Sequence, residues 1–274
     1  MTLRSALFMP ASNARAIEKA RGLSADAIIL DLEDAVAPDA KAQARDQAVD
    51  AARQGGFGGR PLVLRVNGFD TPWGADDCRA AASAGFDAVL LPKVAHPDQL
   101  ATARALLDAV PLWAMIETCA AMLALPAIVG AAGSHDLRCL IVGPNDLAKE
   151  MRCTPGADRL PLQPHLIAIV TAARAAGLIA LDGVCNAIGD APLLEAECAQ
   201  GARFGFDGKT LIHPSQIDIA NRAFAPSAER IARAERIIAA FALPENADKG
   251  AIQLEGEMIE RLHLAEAERV VGLG

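Results

Sequence analysis

The chain has 274 residues, 52% of them hydrophobic, and carries 26 Lys and Arg against 34 Asp and Glu for a net charge of −8. That balance argues against nucleic acid as a partner, since phosphate backbones call for a basic surface, and no apolar run approaches the roughly 18 residues of a spanning helix. Residues 1–10 lack the long apolar segment of a secretory signal, and six cysteines without a CxxC pair read as reduced thiols, so the expectation is a cytoplasmic globular protein with no membrane partner.

In chain order, Ala6 to Met9 is a short apolar run broken by Pro10, and Ser12 and Asn13 offer N-caps for a helix over Arg15 to Arg21. A second buried-strand pattern, Ala25 to Leu32, closes on Asp31, Glu33 and Asp34, and helical text follows from Asp39 to Arg53. Further strand patterns are Pro61 to Asn67 with Arg65 inside it, Gly85 to Lys93, Pro111 to Thr118 ending at Glu117, and Leu137 to Val142, which runs into Gly143, Pro144, Asn145 and Asp146. Leu166 to Ala175 reads as a helix, Leu178 to Leu181 as a seventh strand and Arg203 to Phe206 as a short eighth. Short apolar runs alternating with helical text predict a parallel sheet covered on both faces, and eight of them predict a (β/α)8 TIM barrel over residues 1–224. Residues 225–274 change character. Pro226 to Phe241 and Gly256 to Val271 are charged and amphipathic, which predicts a C-terminal helical extension without strands.

Catalytic groups of such barrels stand at strand C-termini. Glu117 and Asp146 end consecutive strands, and neighbouring strands lie about 4.8 Å apart, so the two carboxylates can converge on one hard cation such as Mg2+, which retains waters and takes further oxygens from substrate. The bland alternative is that each caps the helix after its strand. Arg65 interrupts an apolar strand and needs a partner, for which Glu33 is the nearest candidate; it either forms a structural pair or binds a carboxylate or enolate oxygen. Lys93 reads as a rim residue paired with a carboxylate, with a Schiff base as the lesser alternative. His213 reads as a residue that shapes its loop, and Cys119 as a small hydrophobe on the first turn of a helix.

RSALFMPASNARAIEKA, ILDLEDAVAPDAKAQAR, LRVNG, LPKV, MIET, GPNDLA, GKTLIHPSQI and GEMIERLHLAEAE, in that order, resemble the citrate lyase beta subunit and malyl-CoA lyase group of the HpcH/HpaI aldolase superfamily. The resemblance implies a TIM barrel with a C-terminal helical lid, assembled as a homotrimer, that uses magnesium to cleave or form a 3-hydroxyacyl thioester carried by CoA or an acyl carrier. It implies Glu117 and Asp146 as metal ligands and Arg65 as the arginine that holds substrate oxygens. Phe8 and Lys19 are implied as CoA contacts with Arg15 as an additional cation, and Asn145, His213 and Pro214 as substrate-pocket residues. Asp34 and Lys41 support the site. Two departures stand out: Ala11 follows Pro10 where such proteins commonly have glycine, and Glu260 occupies the place of the lid aspartate that serves as acid or base across a subunit interface. Alternatives are a metal-dependent aldolase acting on free 2-oxo-3-deoxy acids without CoA, and a non-catalytic acyl-CoA-binding subunit.

Overall fold

The computed structural model describes residues 3–246 and 248–272. Eight strands, β1 (Ser5–Pro10), β2 (Ala27–Asp31), β3 (Leu62–Arg65), β4 (Ala88–Leu91), β5 (Leu112–Ile116), β6 (Leu137–Val142), β7 (Ile179–Asp182) and β8 (Gly208–Leu211), pair in parallel and in sequence order into a closed barrel. The helices between and after them are α1 (Ala14–Ala20), α2 (Lys41–Gln54), α3 (Gly74–Ala81), α4 (Pro97–Leu107), α5 (Cys119–Gly130), α6 (Ala132–His135), α7 (Pro144–Met151), α8 (Gln163–Ala175), α9 (Ala191–Phe204) and α10 (Ile217–Phe224). This is the (β/α)8 TIM barrel that the alternation of patterns predicts.

Strands β2 to β5 are buried at every position, because one face meets the helices and the other fills the barrel. Inward residues alternate along the strands, so Ala27 and Ile29, Ala88 and Leu90, Trp113 and Met115, and Cys139 and Ile141 join one packed cluster in which small alanines make room for the indole. Closure between β8 and β1 needs glycine at 208, where a Cβ would overlap the Leu3 carbonyl. Polar side chains start several helices. Asn13 accepts from the Ala16 N–H at 3.1 Å, Thr118 from Ala121 at 3.0 Å and Asp190 from Leu193 at 3.0 Å.

The chain separates into two compact units, Leu3–Arg222 and the residues from 223 onward. In the second unit α11 (Ala228–Phe241) and α12 (Arg261–Val271) pack around Ile237, Phe241, Ile252 and Ile259. No helix among the described residues is long and apolar enough to cross a membrane.

Two expectations need correction. Arg203 to Phe206 is not the eighth strand: it spans the end of α9 and its stop at Gly205, whose φ of 95° suits glycine, and the strand is Gly208–Leu211. GKTL looks too polar for a barrel core, yet Lys209 is wholly buried because Asp182 lies 3.1 Å and Glu197 2.9 Å from its ammonium. The C-terminal region also contains strands. β9 (Ala251–Leu254) and β10 (Glu257–Glu260) form an antiparallel hairpin around Glu255 and Gly256, both at positive φ (53° and 86°), the backbone that a tight two-residue hairpin turn needs. Consequently α12 begins at Arg261 rather than near Gly256.

Candidate active site at the C-terminal mouth of the barrel

A cavity of about 340 Å³ opens at the C-terminal ends of the strands, lined among others by Phe8, Asp31, Asp34, Arg65, Glu117, Asn145, Asp146 and Asn186. Its floor follows from strand register. Asp31 and Arg65, the last residues of β2 and β3, are paired neighbours in the sheet. The guanidinium therefore meets Asp31 side-on, with Nε donating to Oδ1 at 2.6 Å and Nη2 to Oδ2 at 2.6 Å. Arg65 Nη1 is also 2.9 Å from Glu33 and 3.5 Å from Asp34, and the Phe8 ring lies 4.8 Å from the guanidinium carbon. Burial acts to lower the pKa of Arg65, but Asp31, Glu33 and Asp34 overcome it and raise it above the ordinary value, so this arginine is a fixed cation. The partner expected from sequence, Glu33, is one of three; the bidentate partner is Asp31, which also accepts the N–H groups of Glu33 (2.8 Å) and Ala35 (3.1 Å) and so shapes the turn after β2.

Glu117 follows β5 and is buried, with Oε1 accepting the Lys93 backbone N–H at 2.7 Å. Burial pushes its carboxyl up to about 7; the Lys93 N–H, Arg65 and the Lys93 charge oppose that rise while Glu33 adds to it. The side chain has room only because residue 143 is glycine, where a Cβ would overlap Glu117 Oε2 and Cβ. Asp146 stands in the first turn of α7 with its side chain 30% exposed, 3.7 Å from the Lys93 ammonium. Neither acid caps a helix: Thr118 caps α5, and the cap of α7 is Gly143, which has no side chain to offer. Lys93 spans the mouth, paired with Glu33 on one side and facing Asp146 on the other. Burial acts to lower its pKa, but the Glu33 contact raises it above the ordinary lysine value, which disfavours the neutral amine a Schiff base requires.

The mouth thus gathers three cations, Arg65, Lys93 and Lys41, around five carboxylates, Asp31, Glu33, Asp34, Glu117 and Asp146. Lys41 is buried and donates to the carbonyls of Leu32 (2.7 Å) and Glu33 (2.6 Å), holding the loop after β2. Among the described residues no group of three or more His, Cys, Asp or Glu side chains is arranged to hold a metal ion. A cation here would therefore have two protein carboxylates, Glu117 and Asp146. Two hard oxygens, a local deficit of two positive charges and space in the cavity fit a divalent ion such as magnesium.

Not every residue expected at the site reaches it. Phe8 and Asn145 line the cavity, and Asn145 exchanges amide hydrogen bonds with Asn186 (2.7 and 3.3 Å), a partner the sequence did not single out. Lys19 and Arg15 are exposed on α1 and do not line the cavity. His213 caps the turn Pro214–Gln216, accepting from the Ser215 N–H at 3.2 Å; it and Pro214 shape the loop after β8, while Ile212 supplies the lining. Cys119 is the first residue of α5, its N–H bound to Glu150 at 2.7 Å. Glu260 belongs to the other compact unit, where it ends β10 and caps α12 in a reciprocal box with His263.

Comparisons with known proteins agree with this architecture. The HpcH/HpaI aldolase/citrate lyase family matches residues 4–214. A (3S)-malyl-CoA thioesterase of Cereibacter sphaeroides is 46% identical over 99% of this chain and 96% of its own length. The citrate lyase subunit beta of Leuconostoc mesenteroides is 32% identical over 98% and 92% of the two chains. Among solved structures, CitE of Mycobacterium tuberculosis in complex with magnesium, acetoacetate and coenzyme A has a TM-score of 0.78 and 31% identity, covering 99% of this chain and 98% of that one. The chain belongs to the HpcH/HpaI aldolase/citrate lyase family.

Proposed function

We propose that this protein is a magnesium-dependent enzyme of 3-hydroxyacyl-CoA thioesters, whose net reaction is hydrolysis of a malyl-CoA-type thioester to the free hydroxyacid and CoA. The observation that carries the metal-dependent part is the carboxylate excess around Glu117 and Asp146 at a cavity that also presents a fixed guanidinium. Support for hydrolysis comes from the 46–47% identity to (3S)-malyl-CoA thioesterases.

Glu117 and Asp146 would hold the magnesium, which supplies a Lewis acid for the substrate's oxygens. Arg65, locked by Asp31 and backed by Phe8, offsets the negative charge that develops on the thioester oxygen as water adds to the carbonyl carbon and the C–S bond breaks. Because the guanidinium is already anchored, it reorganises little at the moment of reaction. Asn145, with His213 and Pro214 of the loop after β8, serves the acyl portion, and Phe8, Lys19 and Arg15 serve the CoA portion. Glu260, carried in the C-terminal unit and contributed by a neighbour in a homotrimer, moves the proton, one methylene further out than the aspartate of related lids. The protein works in the cytoplasm.

A second reading keeps the same residues and breaks a C–C bond instead: the 3-hydroxyl loses its proton, a 2-oxoacid leaves, and the thioester enolate facing Arg65 is protonated to acetyl-CoA or a homologue. Its support is the identity of 30–32% to citrate lyase beta and L-malyl-CoA/beta-methylmalyl-CoA lyases. Incubation with malyl-CoA and magnesium, following free thiol and free 2-oxoacid together, decides between them. Thiol without 2-oxoacid is expected; stoichiometric 2-oxoacid and acetyl-CoA without thiol would establish the lyase.

A further inference from the structure

Lys93 touches both carboxylates assigned to the metal, Glu117 through its backbone N–H and Asp146 through its ammonium. Its φ is 49°, in the left-handed region that residues with a Cβ adopt rarely. That conformation is pinned on both sides of the residue. The N–H donates to Glu117 at 2.7 Å and the carbonyl accepts from Gln99 Nε2 at 3.2 Å. From the same residue the ammonium reaches Glu33 and comes within 3.7 Å of Asp146. One half of the metal pair is thus positioned by the Lys93 backbone and the other is screened by its charge.

The two ends of the lysine are not equivalent. The Glu33 side chain is 11% exposed and keeps a second cation, Arg65 at 2.9 Å, whereas the Asp146 side chain is 30% exposed and faces Lys93 as its cation. The lysine side chain is itself 42% exposed, so it has space to withdraw, unlike the enclosed Lys41 and Lys209. A divalent ion at Glu117 and Asp146 would sit within a few ångströms of the ammonium, and like charges that close repel strongly in a partly desolvated site.

We propose that Lys93 is the metal site's internal counter-ion, a positioning residue whose ammonium, paired with Glu33, also screens Asp146 and draws away from Asp146 while keeping Glu33 when the divalent cation enters. This rests on the assignment of Glu117 and Asp146 to the metal. Lys93 then sets metal affinity from within the chain, keeping the acidic mouth from repelling itself when empty at the cost of weaker binding when filled.

Calorimetric titration with MgCl2, repeated with Mn2+ by electron paramagnetic resonance, tests this on the full-length protein without substrate. Lys93→Met should bind the ion about tenfold more tightly than the native protein, and Lys93→Arg should bind like the native protein. Lys93→Gly, which suits the positive φ, repeats the removal of the ammonium without backbone strain and should also bind more tightly. Native or weaker affinity in both Lys93→Met and Lys93→Gly, with Asp146→Asn abolishing binding, overturns the role of Lys93 and leaves the metal assignment standing. Native affinity in both Asp146→Asn and Glu117→Gln removes the metal assignment, and the proposal falls with it.

Discussion

Two charge networks in this barrel are built from the same residue types and differ in how they are closed. Next to β7 and β8, Asp182 and Glu197 meet Arg159 and Lys209, two charges of each sign, with Asp182 and Lys209 fully enclosed. Burial opposes ionisation of Asp182, yet Lys209 and Arg159 hold its pKa below the ordinary carboxylate value. At the mouth, five carboxylates share three cations, and the buried Glu117 is pushed up to about 7, chiefly by burial that no cation fully offsets. A balanced network needs nothing further and serves stability. An unbalanced one that opens into a cavity is arranged for an incoming charge.

The sharpest way to break this contrast is to neutralise one carboxylate in each network. Glu117→Gln or Asp146→Asn should cut magnesium-dependent thioester turnover by roughly a thousandfold while the melting temperature stays within a few degrees, since neither closes a balanced pair. Asp182→Ala should do the reverse, costing about 3–5 kcal/mol in urea unfolding because Lys209 and Arg159 are left buried without it. The sign of the pH dependence follows from the lowered pKa of Asp182. Its stabilisation is present above the unfolded carboxylate value of about 4 and is lost as pH falls below that toward the folded value, so the gap between native and Asp182→Ala narrows in acid.

A smaller effect is expected from Asp31→Asn, which leaves Arg65 charged but loosens its bidentate anchor. A displacement of about 1 Å predicts a fall of about a hundredfold in kcat with a lesser change in KM, read by steady-state kinetics. Gly143→Ala should be milder still, weakening magnesium binding by about tenfold in calorimetry as the new methyl displaces the Glu117 carboxylate.

Most of the barrel was legible in the sequence because parallel strands buried on both faces leave continuous apolar runs, and the site acids are conspicuous because they end those runs. Where a charge lies inside a strand the signal fails. Lys209 breaks the apolar run of β8, so the eighth strand reads as Arg203 to Phe206 instead, and the carboxylates that neutralise Lys209, Asp182 and Glu197, come from β7 and α9. Glu33, at the end of the neighbouring strand, is a partner of Arg65 as expected, but register between β2 and β3 also sets Asp31 beside it, and Asp31 makes the bidentate contact. The β9 and β10 hairpin was hidden by its short, polar strands, with Glu255 in a left-handed conformation where glycine would have announced a turn. Lys19 entered through resemblance alone, and it is an exposed residue whose position no apolar pattern constrains.

The account turns on whether the mouth takes up a divalent cation at Glu117 and Asp146, and thermal unfolding with and without magnesium measures that directly, because an ion bound to the folded state alone raises the melting temperature with its concentration. A magnesium-dependent rise in the native protein that disappears in Glu117→Gln and Asp146→Asn is the predicted result. No rise in the native protein, or a rise that persists undiminished in both variants, would contradict it.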